Sequence, residues 1–201
     1  MLITEIKPFL QPEMVEAIAS AYQQSFGNEP WNEGYLCPVC EAVLPLAYSL
    51  KTCPICAEQS RIVLLVEYWP ISKIITDFYT EIGKPESVCV VAQINGNVVG
   101  FAWGYRVSAT PDLDSHLEAP NLHKALNGDF FYLDECALIP LHQGKGAGKM
   151  IVNHIFGAQQ QGKILLRTMH DSRMYRIIKQ MRGEIVQHIS RNRVIMRLVL
   201  A

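Results

Sequence analysis

Four cysteines stand as Cys37-Pro-Val-Cys40 and Cys53-Pro-Ile-Cys56, two Cys-x2-Cys knuckles with twelve residues between them. Four thiolates at this spacing can close around one tetrahedral Zn²⁺. A closed shell leaves no open position for water or substrate, so such an ion would stabilise the chain around it and take no part in chemistry. A redox dithiol pair is the competing reading, and two matched knuckles suit a metal better. A second pattern lies at Gln143, Gly144, Lys145, Gly146, Ala147, Gly148 and Lys149, between a β-rich run and a helical one. The first amides of a helix lack intrahelical partners and carry the positive end of the dipole, and glycines let phosphate oxygens reach the backbone without meeting a Cβ. With Lys145 and Lys149 adding charge, this stretch predicts a phosphate-bearing ligand.

Spacing narrows the ligand. A nucleoside triphosphate loop needs four residues between its first Gly and the Gly-Lys pair, followed by Ser or Thr; here three residues separate Gly144 from Gly148, and Met150 follows Lys149. A dinucleotide fingerprint would need a third Gly or Ala at 149, where Lys149 stands. The pattern that survives is Gln/Arg-x-x-Gly-x-Gly/Ala, carried by Gln143, Gly146 and Gly148. Just upstream, Asp134 and Glu135 are adjacent on an apolar run. On a regular pleat they face opposite sides, so only one of them can enter a cleft, and Cys136 would share the face of Asp134.

These residues need elements to hold them. A strand over 2–6 precedes a helix that Pro12 opens and Gly27 closes, with Met14, Ile18, Ala21, Tyr22 and Phe26 as its apolar stripe. A second helix begins near Pro70 and repeats Ile71, Ile74, Ile75, Phe78, Tyr79 and Ile82 before Gly83 stops it. Runs at 88–94 and 98–105 flank Asn95, Gly96 and Asn97 as a tight hairpin. Residues 108–129 form a polar connection with one short helix around 116–125, long enough to cover a site. A strand at 130–139, a helix at 145–161, a strand at 164–168, a helix at 172–181 and strands at 184–189 and 193–199 complete the chain. The helix after the glycines is expected to bury Ala147, Met150, Ile151, His154, Ile155 and Ala158, with His154 as a satisfied core histidine. This order gives an α/β fold with a mixed sheet.

The stretch Tyr132-Leu-Asp-Glu-Cys-Ala-Leu-Ile-Pro-Leu-His-Gln-Gly-Lys-Gly-Ala-Gly resembles the fourth strand and CoA loop of the GNAT superfamily of acyl-CoA-dependent N-acetyltransferases, and the element order agrees with that family over nearly the whole chain outside residues 31–60. The resemblance implies one acyltransferase domain over residues 1–201, with a mainly antiparallel sheet flanked by helices. It implies acetyl-CoA or another acyl-CoA as co-substrate, with pantetheine along the strand end at Ala137 and Leu138 and pyrophosphate on Gln143, Gly144, Lys145, Gly146, Ala147 and Gly148. Family chemistry is direct attack of an amine on the thioester, with a base to take its proton. Asp134 is the preferred base and Glu135 the alternative. For the general acid that meets the leaving thiolate, Tyr175 is the candidate, although Lys179 aligns where the family's Tyr usually lies and Ser172 replaces a frequent Asn. His142 and His170 fall beside the expected cleft without a spacing argument.

Residues 31–60 read as a small zinc-ribbon-like insert with structural Zn²⁺, in which 41–52 would form a hairpin. Lys51 is its only base against Glu33, Glu41 and Glu58, so it lacks a phosphate-binding face and nucleic acid is not an expected partner. It is expected to touch a protein or to wall the acceptor site, through Trp31, Tyr35, Leu44 or Tyr48. Over the whole chain, 18 Lys and Arg against 19 Asp and Glu give no broad field for a polyanion or an anionic membrane. No apolar run approaches the ~20 residues needed to span a bilayer, so the expected location is the cytoplasm. The partners expected are an acyl-CoA and an unidentified amine, with a homodimer compatible with both. The alternative function is a non-catalytic acyl-CoA sensor, or an interaction module that uses the insert.

Overall fold

A computed structural model describes residues 1–6, 11–159, 162–170 and 172–200. In chain order the elements are β1 (Leu2–Ile6), α1 (Pro12–Phe26), β2 (Tyr35–Leu36), β3 (Val43–Leu44), α2 (Pro54–Glu58), β4 (Val66–Glu67), α3 (Ile71–Ile82), β5 (Val88–Ile94) and β6 (Asn97–Ser108). After these come α4 (Pro111–Leu117), α5 (Leu122–Ala125), β7 (Asp129–Leu138), a 3-10 turn (Pro140–His142), α6 (Ala147–Gly157), β8 (Lys163–Met169), α7 (Arg173–Gln180), β9 (Glu184–His188) and β10 (Arg193–Val199). A seven-stranded sheet runs β1-β5-β6-β7-β8-β10-β9, antiparallel at every step except the parallel pair β7 and β8. The expected mixed, mainly antiparallel sheet is what forms.

Local chemistry sets these elements. Pro12 at the first turn of α1 lacks the N–H that would have no partner there, and Glu13 complements the dipole. The hairpin of β5 and β6 turns on Asn95 (φ 51°) and Gly96 (φ 81°), both left-handed as a two-residue turn of this hand requires. Two layers of helix then cover the sheet. On one face α1 and α3 bury Ile18, Phe26, Ile74 and Phe78 against Phe101 and Trp103. On the other, α6 and α7 bury Ile151, Ile155 and Ile178 against Val90, Phe131 and Leu166. The connection over 109–128 folds into two short helices, α4 and α5, where one was expected, and Leu113, Leu117 and Leu122 pack on Tyr105, Phe130 and Tyr132.

The stripe of α6 is rotated from the expected one. Ala147, Ile151 and Ile155 are buried as expected, but Val152 and Phe156 complete the stripe, while Met150, His154 and Ala158 are exposed. Both stripes share the 147, 151, 155 row, and the flank carrying Val and Phe has more apolar area to bury than the flank carrying Met and His. His154 is therefore a surface residue. The helix ends at Gly157, and its expected limit at Gln161 lies outside the described residues.

One irregularity decides the site. In the ladder between β6 and β7, Trp103 pairs with Glu135 but Gly104 pairs with Leu133, so Asp134 is an extra residue, a β-bulge. Gly104 permits it: a Cβ there would stand 2.3 Å from the Tyr132 carbonyl oxygen and 2.7 Å from the Phe131 ring. Gly104→Ala should therefore cost about 1–3 kcal/mol, which in thermal denaturation is ~2–4 °C for each kcal/mol in a chain of this size. Gly157→Ala, where a Cβ would meet nothing within 4 Å, is the control and should leave the melting temperature unchanged or raised.

Candidate functional site

The bulge changes which way β7 points its side chains. Phe131 and Leu133 face α6, Tyr132 faces the α4 side, and past the bulge Cys136 and Leu138 return to the α6 core while Ala137 packs with the α1 core. Asp134 and Glu135 consequently open on the same face, where the Trp103 indole donates to Asp134 Oδ2 at 3.3 Å and the Tyr22 hydroxyl donates to Glu135 Oε1 at 3.0 Å. The expectations that only one carboxyl enters the cleft, and that Cys136 shares the face of Asp134, both fail because they assume a regular pleat. Both carboxyls line one cleft of about 360 Å³.

Burial, then the charge of Glu81, pushes the Asp134 carboxyl up to about 6, against the Trp103 hydrogen bond and the nearby Lys84 and Arg167. Burial and the adjacent Asp134 push Glu135 further, well above the ordinary carboxylate range. Like charges this close in a partly dry site are unfavourable together, so the two carboxyls lose their protons in separate steps, and Glu135 is the harder of the pair to ionise.

Other walls of the cleft come from segments distant in sequence. Tyr22 stands edge-on to Trp69, ring centres 5.4 Å apart, and the Trp69 indole donates to Glu33 Oε2 at 3.0 Å. Arg193 on β10 lies 3.8 Å from Glu33 Oε1, and Arg167 on β8 lies 3.5 Å from Glu118 at the end of α4. Of the four contacts expected from the insert, Trp31 lines the cleft and Tyr35, Leu44 and Tyr48 do not. The connection over 109–128 reaches the cleft through Glu118, and its α4 is tied to the sheet by the Tyr105 hydroxyl, 2.8 Å from His116 Nε2.

Next to the carboxyls the sheet opens. The parallel pairing of β7 with β8 runs only from Phe131 with Ile164 to Leu133 with Leu166, although β7 continues to Leu138 and β8 to Met169. From Asp134 onward, that edge of β7 faces a gap. At its end the Gln143 side-chain amide donates to the Leu138 carbonyl at 2.7 Å and fixes the strand terminus. Gly144 and Gly146 then take left-handed φ values of 81° and 82° and open α6. The first helical bond runs from the Met150 N–H to the Gly146 carbonyl, so the amides of 147–149 lie free of the helix ladder at its positive end.

Arg173 stands beside this loop, its Nη1 3.8 Å from where a Cβ on Gly144 would lie. The sequence carried one trace of it: a cation at the first position of α7 opposes the helix dipole and so calls for another reason to be there. Tyr22, Glu33 and Trp103 left no such trace, since Tyr22 falls on the apolar stripe of α1, Trp103 lies inside the strand run 98–105 and Glu33 is one of the acids of the insert. Tyr175 is not among the residues lining the cleft; it packs toward the α6 core with its ring 4.6 Å from that of His170.

The four insert cysteines converge. Their Sγ atoms all lie within 4.8 Å of one another, with Cys37 to Cys56 at 3.7 Å and Cys40 to Cys53 at 3.5 Å. A tetrahedron of sulfurs about 2.3 Å from a zinc ion has edges of about 3.8 Å, so the donor set fits Zn²⁺. Backbone N–H donation at Cys40 holds the Cys37 thiol down at about 6, and burial pushes that of Cys56 up to about 12; a cation among them would favour thiolate on all four. The expected hairpin across 41–52 does not form. Instead Val43–Leu44 pairs back on Tyr35–Leu36, and the small sheet, ordered β3-β2-β4, reaches Glu67, beyond the expected limit at Ser60.

The mixed sheet thus splays beside a glycine-opened helix, with acidic residues on the splayed strand. Residues 57–176 match the sequence profile of the GNAT acetyltransferase family, and the chain belongs to that family. Among solved structures it is similar to the PaiA N-acetyltransferase of Thermoplasma acidophilum in complex with coenzyme A, at 10% identity over 100% of both chains with a TM-score of 0.55. It is also similar to an acetyltransferase from Thermus thermophilus (10% identity, 100% and 98% covered, TM-score 0.57) and to the ribosomal-protein-S18-alanine N-acetyltransferase of Escherichia coli (11%, 100% and 95%, 0.54). A search of curated proteins finds no match. No helix among the described residues is long and apolar enough to cross a membrane.

Proposed function

We propose that the protein is an N-acetyltransferase that moves the acetyl group of acetyl-CoA onto a primary amine by direct attack. The observation that carries this reading is the loss of pairing between β7 and β8 beyond Leu133, which leaves a strand-wide gap leading from the carboxyl cleft to the glycine loop. Pantetheine fits that gap as an added strand along Asp134 to Ala137, with the thioester brought to the carboxyls. Pyrophosphate then meets the amides at 144 and 146–148 with Lys145 and Arg173 nearby, and needs no metal. Gln143 acts mainly by fixing the strand end.

The acceptor enters as an ammonium on the Asp134 side. Asp134 takes one proton, the freed nitrogen bonds to the thioester carbon, and the oxyanion collapses as the C–S bond breaks, the leaving CoA thiolate taking the second proton that the acylated nitrogen releases. Glu135, the harder of the two to ionise, disfavours a second negative charge beside the forming oxyanion. The ionisable pair in the cleft favours this enzyme over an acyl-CoA sensor, which would need no base. Tyr175, away from the cleft, receives no role. The four cysteines hold one structural Zn²⁺.

Differential scanning of the protein with acetyl-CoA, CoA, ATP and NAD tests the donor assignment. Saturation at about 100 times Kd is worth about 2.7 kcal/mol, so acetyl-CoA and CoA should each raise Tm by about 5–10 °C and ATP and NAD should not. An unmoved Tm with both CoA ligands would sink the proposal.

A further inference from the structure

The geometry points to a linkage between the cysteine cluster and the acceptor: a metal ion at Cys37, Cys40, Cys53 and Cys56 sets acceptor affinity by holding Glu33 in the cleft wall, and leaves acyl-CoA binding alone. This rests on the acyltransfer reading above. The acceptor it selects is a primary ammonium on an apolar or aromatic stem.

The connection is short. Glu33 and Gly34 lead into β2, and β2 ends one residue before Cys37. The returning strand β4 pairs Glu67 with Tyr35 and Val66 with Leu36, and so delivers Tyr68 and Trp69 to the same wall. Backbone bonds clamp the two ends together: Tyr68 N–H to the Gly34 carbonyl at 3.1 Å, Gly34 N–H to the Leu44 carbonyl at 2.9 Å, and Glu33 N–H to the Phe26 carbonyl at 2.8 Å. There is no slack at Gly34, where a Cβ would stand 2.2 Å from the Leu46 backbone nitrogen.

The module cannot hold this wall by apolar packing. Its buried core consists of Cys37, Cys53 and Cys56, with Ala42, Val63 and Leu65 only partly covered, and its strands are two residues long. Strands so short have no stability of their own, and a domain without an apolar core depends on a staple. A metal among the thiolates supplies that staple, because the ordered ligand set is part of its binding free energy. The wall it supports carries Glu33 between Trp69 and Arg193, in the cleft that Asp134 and Glu135 also line. Glu33, Glu118 and Asp134 outnumber Arg167 and Arg193 by one, and with the rings of Tyr22, Trp31 and Trp69 they suit a cation that slides along aromatic faces. The glycine loop read as the pyrophosphate site lies elsewhere, at the start of α6 and beside Arg173, with α6 packed on the opposite core.

The test compares the full chain as purified with the same protein stripped by a chelator under reducing conditions. Metal analysis should find about one zinc per chain. Amide hydrogen exchange at Gly34 and Tyr68 should speed up at least tenfold on stripping, while Met150 and the rest of α6 stay within twofold and CoA affinity, by titration calorimetry, stays within twofold. With tryptamine and 1,4-diaminobutane as acceptor probes, KM should rise at least tenfold on stripping and comparably in metal-loaded Glu33→Gln, with kcat and its pH profile little changed, and Glu33→Asp should recover part of the loss. Unchanged exchange at Gly34 and Tyr68 overturns the linkage whether or not either amine is turned over. Loss of CoA affinity in parallel with acceptor affinity also overturns it, because the metal would then support the whole fold. Failure of metal-loaded protein to bind CoA would instead defeat the acyltransferase reading and leave the exchange result standing.

Discussion

Asp134→Asn lowers kcat by about 10²–10⁴-fold, the usual span for loss of a positioned general base, while CoA binding in titration calorimetry stays within twofold. Its carboxyl is one hydrogen bond from Trp103, faces the cleft, and is the one of the pair that ionises near neutrality. For wild type, kcat/KM should therefore rise through pH about 6 and level off above it. The same substitution should stabilise the fold, and the sign follows from the direction of the shift. A carboxyl whose folded value lies above its unfolded one is easier to ionise in the unfolded chain, so wild type loses stability as pH rises from the ordinary carboxylate range through about 6. Asparagine carries no charge to bury and escapes that loss, on the order of 1–3 kcal/mol after allowing for the open side of the cleft. Asp134→Asn should thus melt higher than wild type at pH 8 and equally at pH 4. Glu135→Gln is the contrast: that group is the harder of the pair to ionise and the glutamine keeps an acceptor for the Tyr22 hydroxyl, so turnover should stay within tenfold. If the two variants exchange phenotypes in a thiol-release assay, the base is Glu135.

The second large effect is expected at the helix start. Gly148→Val should weaken CoA about 100-fold in calorimetry, the cost of two charge-assisted hydrogen bonds to phosphate at their lower strength, and should leave Tm within a degree or two. Gly148 is the informative position because it separates binding from folding. Its φ is not left-handed and a Cβ there meets nothing within 4 Å, so a side chain can be attached without strain at its first carbon, beside the amides proposed to hold pyrophosphate. At Gly146, φ is 82°, and any substitution would mix backbone strain with loss of the cradle. An unaltered CoA affinity in Gly148→Val would mean that the pyrophosphate lies elsewhere.

Much of this architecture was legible where one local rule had no competitor. Pro12, Gly27, Pro70 and Gly83 bracket stripes of a single period, Asn95-Gly96 leaves one choice of turn, and the spacing around Gly146 and Gly148 excludes other nucleotide loops. The cysteine knuckles were legible for the same reason, since pair spacing is a property of the local chain. What failed depended on partners far away. The bulge at Asp134 answers to Gly104 on the neighbouring strand, and no pattern within β7 announces it, so alternation assigned Glu135 and Cys136 to the wrong faces. The stripe of α6 was ambiguous because two flanks share one row, and the sheet chose. Glu33, Arg167 and Arg193 meet only after folding, and they are where the acceptor side of the cleft was invisible.

Tyr35 and Glu67 lie opposite each other in neighbouring strands, so the cysteine module leaves the chain and rejoins it at almost the same point. An excursion with coincident ends can be lengthened, exchanged or removed by gene splicing without shifting the helices on either side, since closing the break needs only a short turn. Substrate preference can therefore evolve here as an interchangeable cassette, on its own timetable, above a donor site that has no reason to change.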